Sequence, residues 1–373
     1  MRIGINCRSF LNKNYTGIGR YAYNLVQSLS DIDIDNRYCL YAKKNAFSLH
    51  KRIPYIQGKN FFLKIDRWNR GLRQVLKDID IYHSPSPDAL DIDGVKIIVT
   101  VHDLIFKTFP QGHTQKTIEA TEKQFQNIVK YADKIICVSK NTINDMSQYF
   151  NIDKKKISLV YQGVDKSIFY PMELEENLVA QKFIRSKGIN EPFILSVGTI
   201  EPRKNLENLI YSFNILKSKK LFFGKLAIVG MKGWMSEGIA TLVRKLDLKE
   251  DIVFLGYLTD NQLRYFYNNA QVFVFPSFYE GFGFPIIEAF CCGAPVVTSN
   301  VSSCPEIAQD AAVISDPYKP ADIANGIVQI LHDEKLRRTL REKGFVRSVD
   351  FSFRKMAQET FDVYEEVYKF GDR

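Results

Sequence analysis

Glu280 and Glu288 stand eight positions apart in EGFGFPIIE, two residues after the apolar run VFVFPS. A strand ending there hands over to a tight turn at Gly281 and Gly283. Pro285 suits the first turn of a helix, because its missing N–H would be unpaired there anyway. The free N–H groups of such a helix start, with the helix dipole, form an anion site suited to a diphosphate. Glycine at 281 and 283 lets the backbone approach a ligand closely. The two carboxylates can accept hydrogen bonds from vicinal hydroxyls of a sugar or a ribose. Taken singly, Glu280 is a loop charge and Glu288 a residue that complements the dipole; the assembled pattern points to a ligand.

Arg203 and Lys204 follow the strand-like run PFILSVG in the stretch TIEPRKN. Cations where a strand gives way to a helix neutralise a diphosphate and stabilise it as it departs. Basic loop residues are commonly just solvated, and it is the place at a strand carboxyl end that singles these two out. His102 ends the run IIVTVHD, with a hydrogen-bonded core histidine as the other reading. His83 also ends a strand, with less to support it. Gly17-Ile-Gly19-Arg20 opens a helix and superficially matches a dinucleotide fingerprint. About ten residues separate it from Cys7 at the end of the first strand, too many for the tight turn that fingerprint needs, so no nicotinamide cofactor is expected.

These loops need strands and helices to carry them. In the first half RIGINC, RYCLYA, DIYHS, KIIVTVHD, KIICVS and KISLVYQGVD have the pattern of strands. GIGRYAYNLVQSLSD, FFLKIDRWNRGLRQVLK, TIEATEKQFQNIVKYAD and NTINDMSQYF have that of helices. Residues 171–190 are charged, begin with Pro171 and suggest a linker. The alternation restarts with PFILSVG, LAIVG, IVFLGY, VFVFPS and PVVTS as strands between helices. Such alternation predicts parallel sheets with helices on both faces. The expected class is α/β, with two doubly wound, Rossmann-like domains facing across a cleft, residues 1–170 and 171–353. A last amphipathic helix over 354–373 is expected to pack back on the first domain.

The chain has 373 residues, 45% of them apolar and 25% charged, as in a soluble globular protein. No apolar stretch reaches the ~20 residues of a membrane-spanning helix. The start MRIGINCRSF lacks a basic region followed by an apolar one, so the cytoplasm is the expected location. Cys7, Cys39, Cys137, Cys291, Cys292 and Cys304 are scattered without a C-x-x-C pair and suggest reduced, buried thiols.

The net charge of +9 lies in one place. Residues 43–77 hold ten basic side chains against a single acid, Asp66. So local an excess argues against a general nucleic-acid binder. On a helix there, Phe61, Ile65, Trp68, Leu72 and Val75 would share one face, with Lys64, Arg67, Arg70, Arg73 and Lys77 over the rest. That is the composition of a helix lying on an anionic membrane. Alternatively the apolar stripe faces the core and the cations are solvated. Asp33-Ile-Asp35, Asp78-Ile-Asp80 and Asp91-Ile-Asp93 have a metal-binding form but fall at helix ends or in polar turns. They suggest solvated charges, and no metal or other cofactor is expected.

The Glu280–Glu288 element, the loop to Lys204, Gly163-Val164-Asp165 and Val101-His102-Asp103 together resemble glycosyltransferase family 4, of the GT-B architecture. The resemblance spans nearly the whole chain, and the 280–288 region is its most specific part. The family consists largely of retaining transferases that use nucleotide sugars such as UDP-glucose or GDP-mannose. The resemblance implies that Glu288 holds the donor ribose and Glu280 the hydroxyls of the transferred sugar. Backbone around Gly281, Phe282, Gly283 and Phe284 would meet sugar or phosphate, and Arg203 with Lys204 the diphosphate. His102 would touch donor sugar or phosphate, with Asp103 orienting its ring or meeting the acceptor, and Arg20 also on the acceptor side. Gly17 and Gly19 match a glycine loop that faces the donor phosphates. Thr199 and Gly230 belong to the donor side as well, and the base would pack near Tyr257 and Leu258. There is one departure: many members place Arg directly after the glycine of this strand, where this chain has Thr199. Arg203 would substitute from four positions on.

The implied reaction moves a hexosyl unit from a UDP- or GDP-sugar to a glycan or lipid-linked acceptor in cell-surface polysaccharide or glycolipid synthesis. His102, Glu280, Arg203 and Lys204 would carry it, without a metal, at the inner face of the plasma membrane. The acceptor hydroxyl attacks from the face the diphosphate leaves, passing its proton to the departing phosphate, so configuration is retained. Two other readings fit the same motifs: a GT-B epimerase of UDP-sugars, and an inactive sugar-nucleotide-binding partner of another transferase.

Overall fold

The computed structural model describes residues 1–10, 17–43, 56, 58–68, 70–88, 92–231 and 236–369. Two compact units emerge: Met1–Gly163 with Ser352–Arg373, and Val164–Phe351. The divisions thus fall after Gly163 and Phe351, not at 170 and 353. Nor is 171–190 a linker. It holds the helix Leu174–Ser186, with Ala180 and Ile184 buried. Arg264, on the helix Asp260–Asn269, pairs with Glu176 of that helix and lies 4.1 Å over the ring of Tyr170. The charges that suggest a linker are the solvent face of a docked helix.

The first unit is built on β1 (Arg2–Asn6), β2 (Arg37–Lys43), β3 (Phe61–Asp66), β4 (Ile81–Ser84), β5 (Lys96–Val101), β6 (Lys134–Cys137) and β7 (Ile157–Leu159). All pair in parallel, in the order β3-β2-β1-β4-β5-β6-β7. Helices cover both faces, so the central strands are apolar almost without interruption. Ile3, Ile5, Ile81, Ile98 and Ile136 share one core with the helices Gly17–Ile32 and Phe353–Lys369. Tyr21, Leu25 and Leu29 of the first helix, and Met356, Thr360, Tyr364 and Val367 of the second, are buried at helical spacing. On the other face Tyr82, Ile97, Val99 and Ile135 meet Phe125, Ile128 and Met146.

Residues 61–66 form a strand, not the helix that their apolar spacing suggests. Phe61 stacks on Tyr38 of β2 with ring centroids 4.2 Å apart, and the pairing runs on to Lys43 and Asp66. Aromatic and β-branched residues favour that edge strand. The helix after it is only Leu72–Val75, so Phe61, Ile65, Trp68, Leu72 and Val75 share no helical face. Of the basic residues of this segment, Lys44, Lys51 and Arg52 lie outside the described residues.

The second unit contains β8 (Phe193–Val197), β9 (Lys225–Val229), β10 (Ile252–Gly256), β11 (Val272–Phe275), β12 (Val296–Ser299) and β13 (Ala312–Ser315), in the order β10-β9-β8-β11-β12-β13. The sequence pattern shows the first five; β13 and the helices Pro320–His332 and Glu334–Ser348 complete the unit. Each sheet reverses its strand order once, between β1 and β4 and between β8 and β11. Ligands of doubly wound sheets bind at strand carboxyl ends beside such a reversal. All six cysteines are buried and free. Among the described residues no helix is long and apolar enough to cross a membrane.

Candidate functional site

In the second unit the loops leaving β8 and β11 are bonded to each other beside the reversal. Gly198 follows β8 and donates its N–H to Val229 O at 2.9 Å, while Gly230, after β9, donates to Gly256 O at 2.9 Å. A Cβ on Gly230 would stand 1.9 Å from Gly198 O. Only glycine lets these strand ends close on each other. The single turn Pro202–Lys204 then aims Arg203 and Lys204 at the β11 loop. Asn205, buried in a left-handed conformation, donates from Nδ2 to Pro276 O at 2.9 Å and to Pro317 O at 2.7 Å. One amide thus ties the loops after β8, β11 and β13 together.

Glu280 sits at the centre. Its Oε1 accepts from Lys204 Nζ at 2.6 Å and its Oε2 from Arg203 Nη1 at 2.8 Å. Arg203 Nη2 also pairs with Glu201 Oε1 at 2.6 Å. Burial alone would push the Glu280 carboxyl up, but Lys204 and Arg203 outweigh it and hold its pKa at about 2. Burial pulls Lys204 below the usual lysine range against the attraction of Glu280. The Glu280 backbone is held as firmly as its side chain. Its N–H donates to Ser302 Oγ at 2.8 Å, and that hydroxyl donates back to Glu280 O at 2.6 Å. Ser303 Oγ lies 3.0 Å from Glu280 O and 2.7 Å from Phe282 O.

Gly283 follows at φ +111 and starts the helix Phe284–Cys291, with Pro285 in its first turn and no side-chain cap. Phe282 and Phe284 pack edge to face at 5.4 Å. Glu288 is buried within that helix, and its Oε2 accepts from Tyr267 OH at 3.0 Å. The structure therefore joins Arg203, Lys204 and Glu280 directly, while Glu288 has a partner of its own. Thr199 is exposed. Tyr257 is exposed and Leu258 buried after β10, next to the Gly230–Gly256 contact.

In the first unit His102 follows β5, its ring edge-on to Tyr21 at 4.8 Å. Tyr21 lies on the helix that Gly17, Gly19 and Arg20 open. Both ring nitrogens of His102 are occupied: Nε2 meets Pro85 O at 2.9 Å, and Nδ1 meets Gln162 Nε2 at 3.0 Å. Asp103 does not orient the ring. Its Oδ1 accepts from Ile105 N at 3.2 Å, closing the local turn. His83 is a core residue, with Nδ1 2.7 Å from Tyr364 OH and Nε2 2.9 Å from Thr100 Oγ1. Asp33 is not a solvated charge either: it is buried and takes bonds from Asp35 N, Asn36 N and Tyr38 OH. Asp80 accepts from Arg2 N, Asp93 pairs with Arg73 at 3.7 Å, and Asp91 lies outside the described residues.

Residues 15–167 match the family described as Glycosyltransferase Family 4, and residues 180–347 that described as Glycosyl transferases group 1. The O-antigen chain mannosyltransferase B of Escherichia coli is 30% identical over 94% of this chain and 96% of its own length. This chain belongs to glycosyltransferase family 4. The O-antigen chain mannosyltransferase RfbU of Salmonella typhimurium is 28% identical over 59% of this chain and 56% of its own. Among solved structures, a sucrose-phosphate synthase from Thermosynechococcus elongatus superposes with a TM-score of 0.76 at 20% identity, covering 99% of both chains. HepE of Anabaena in complex with UDP-glucose gives 0.73 at 15% identity, covering 98% of this chain and 100% of its own. These likenesses show the fold, two Rossmann-like domains of the GT-B architecture. As a family 4 member the chain is a glycosyltransferase, and its Glu280–Glu288 element lies on the β11 loop and the helix after it. Asn205, Tyr267, Ser302 and Ser303 belong to the same constellation. Each has a partner distant in sequence; Asn205 closes the stretch TIEPRKN, while Tyr267 and the adjacent Ser302 and Ser303 stand outside the stretches singled out above.

Proposed function

We propose that this chain moves a hexosyl unit, with retention of configuration, from a nucleotide diphosphate sugar to a glycan or lipid-linked acceptor in polysaccharide synthesis. The observation that carries the reading is the ionised Glu280 bridging Arg203 and Lys204 beside the β8/β11 reversal. An arriving diphosphate competes for the two cations, and Glu280 turns to the hydroxyls of the sugar. The cations then stabilise the leaving diphosphate as the anomeric C–O bond breaks. The acceptor hydroxyl attacks on the same face and its proton passes to the leaving phosphate oxygen. Glu288, with one oxygen bonded to Tyr267, takes the ribose hydroxyls. No step is routed through a metal.

Mannose is the first sugar to test, because the relative that spans the chain bears a mannosyltransferase name. The experiment incubates GDP- and UDP-sugars with lipid-linked acceptors, with and without EDTA, and takes the anomeric configuration of the product by NMR. A product of inverted configuration overturns the mechanism. Donor turnover without acceptor supports the epimerase reading, and donor binding without turnover the inactive partner. Loss of activity in EDTA shows that a metal takes part.

Attachment to an anionic membrane belongs to the same proposal, now without a helix. Lys59, Lys64, Arg67, Arg70, Arg73 and Lys77 are exposed, and so are Phe62, Leu63 and Trp68, the last at 78%. The only acid of the segment is buried: Asp66 takes N–H bonds from Arg70 and Gly71. Such a surface attracts anionic headgroups at about 1 kcal/mol per cation. Co-sedimentation with phosphatidylglycerol vesicles, lost in phosphatidylcholine vesicles and at high salt, checks it.

A further inference from the structure

His102 is packed so that its proton has one place to be. A backbone carbonyl can only accept, so the contact of 2.9 Å to Pro85 O puts the ring hydrogen on Nε2. In the neutral ring Nδ1 is then a lone pair, and Gln162, 3.0 Å away, must turn its NH2 toward it. Gln162 is itself only 3% exposed, and its Oε1 has no hydrogen-bond partner among the described residues. Leaving an acceptor buried and unmatched costs stability. Gln162 therefore spends its donor on His102 while its other end goes unanswered.

From this we propose that Gln162, with the Pro85 carbonyl, holds His102 as the neutral Nε2–H imidazole and keeps it out of proton transfer. Gln162 is thus a positioning residue. A second proton on Nδ1 would face the NH2 group, and accepting it would require the Gln162 amide to turn over in a closed pocket. The surroundings work in the same direction. Burial lowers the basicity of His102, against the Pro85 bond and the negative charge of Asp103. Among the described residues, the other titratable groups against the ring are His83, itself held neutral, and the Tyr21 phenol. Neither supplies a charge that would hold a proton on Nδ1. His102 then serves by shape and polarity rather than as an acid or base, which agrees with a transfer in which the leaving phosphate takes the acceptor proton. Only that last agreement rests on the proposed reaction.

The test is nitrogen-15 NMR of the full-length protein labelled in its five histidines, with the His102 signals assigned from a His102→Gln sample. Expected for the wild type is a protonated Nε2 and an unprotonated, hydrogen-bonded Nδ1, unchanged from pH 8 to 5.5. A protonated Nδ1 anywhere in that range overturns the proposal. Gln162→Met removes the donor without a charge, and the Nδ1 signal should move to that of an unbonded nitrogen; no movement overturns it. Gln162→Glu supplies an acceptor, and His102 should then be doubly protonated at pH 7, its proton affinity raised more than a hundredfold. Turnover of that variant should gain a limb rising with pH across the same titration. If no substrate is turned over at all, the transfer reading fails while the three spectra still decide the role of Gln162.

Discussion

Lys204 Nζ and Glu280 Oε1 stand 2.6 Å apart although 76 positions separate them. The contact exists because β8 and β11 are neighbours, with Ile194 opposite Val272 and Leu195 opposite Phe273. It joins the two strongest sequence signals into one buried ionic cluster. Lys204→Ala removes one of the two cations proposed to meet the diphosphate, and kcat should fall by about 10²–10³-fold, the usual cost of losing one such group. Steady-state turnover with circular dichroism as a fold control checks this. An active Lys204→Ala would remove the cluster from the mechanism.

The same cluster sets a pH dependence. Lys204 and Arg203 hold the folded pKa of Glu280 at about 2, below the usual glutamate value of 4.5. A depressed carboxylate contributes stability that is present above the unfolded pKa and is lost as pH falls through the folded one. Wild type minus Glu280→Gln should therefore show a stability difference that is constant above pH 5 and shrinks from about pH 4.5 toward pH 2. Urea unfolding at stepped pH measures it. A difference independent of pH would mean that Glu280 carries no ionic bond in the folded state.

Tyr267 OH donates to Glu288 Oε2 at 3.0 Å, and both side chains are buried. A hydrogen bond to a charged group is worth about 1.5–3 kcal/mol. Tyr267→Phe keeps the ring packing on Phe273 and Phe169 and removes the hydroxyl that donates to Glu288. If Glu288 grips the ribose, donor affinity should weaken about tenfold, which corresponds to roughly 1.4 kcal/mol, with kcat less affected. Titration calorimetry with the donor nucleotide separates the two. An unchanged affinity would leave Tyr267 a purely structural residue.

Which of these contacts the sequence discloses follows from distance along the chain. Glu280, Gly283, Pro285 and Glu288 lie in one stretch whose turn and helix start are local, so their chemistry is visible in nine residues. The doubly wound class is visible for the same reason, since apolar strands and amphipathic helices are local periodicities. Ser302 beneath Glu280, Asn205 beneath Pro276 and Gln162 beside His102 meet only through the tertiary fold; Asn205 and Gln162 border TIEPRKN and Gly163-Val164-Asp165, yet those stretches do not disclose the partners. Phe61–Asp66 misleads for another reason: its apolar residues satisfy a helical spacing, yet the stacking of Phe61 on Tyr38 and the edge of β2 decide for a strand. Likewise the helix Leu174–Ser186 buries so few residues that its charge hides it.

Two glycines of the proposed donor side should behave oppositely. Gly230 has φ +152, and an added Cβ would come within 1.9 Å of Gly198 O. Backbone cannot yield there as a flexible side chain could, so Gly230→Ala should destabilise by more than about 1–3 kcal/mol. Melting would drop by about 2–4 °C for each kcal/mol lost. A Cβ on Gly17 meets nothing within 4 Å. Gly17→Ala should leave the melting temperature in place while donor turnover falls, if the backbone there approaches phosphate. Differential scanning calorimetry beside a turnover assay reads both, and equal melting of the two variants would refute the steric argument.

His83 offers a test of the buried network in the first unit. It is fully buried between Thr100 and Tyr364, and burial pulls its pKa down to about 3 from the usual histidine value of 6.5. The folded state thus binds fewer protons here than the unfolded chain does between those values. Stability is fully present above about pH 6.5 and declines as pH falls toward 3, with the slope that linkage requires. His83→Gln keeps a donor and an acceptor at the site but cannot be protonated. It should cost stability at pH 8, because a buried partner is left imperfectly bonded at about 1–3 kcal/mol. The cost should narrow as pH drops from 6.5 to 4.5, where only the wild type is still losing ground. Tyr364→Phe, which removes the bond to Nδ1, should destabilise without altering the pH slope, because His83 stays buried and neutral. Chemical unfolding of the three proteins at pH 8, 6.5, 5.5 and 4.5 gives the comparison. A His83→Gln curve parallel to wild type would show that the histidine takes up its proton in the folded protein as readily as in the unfolded chain.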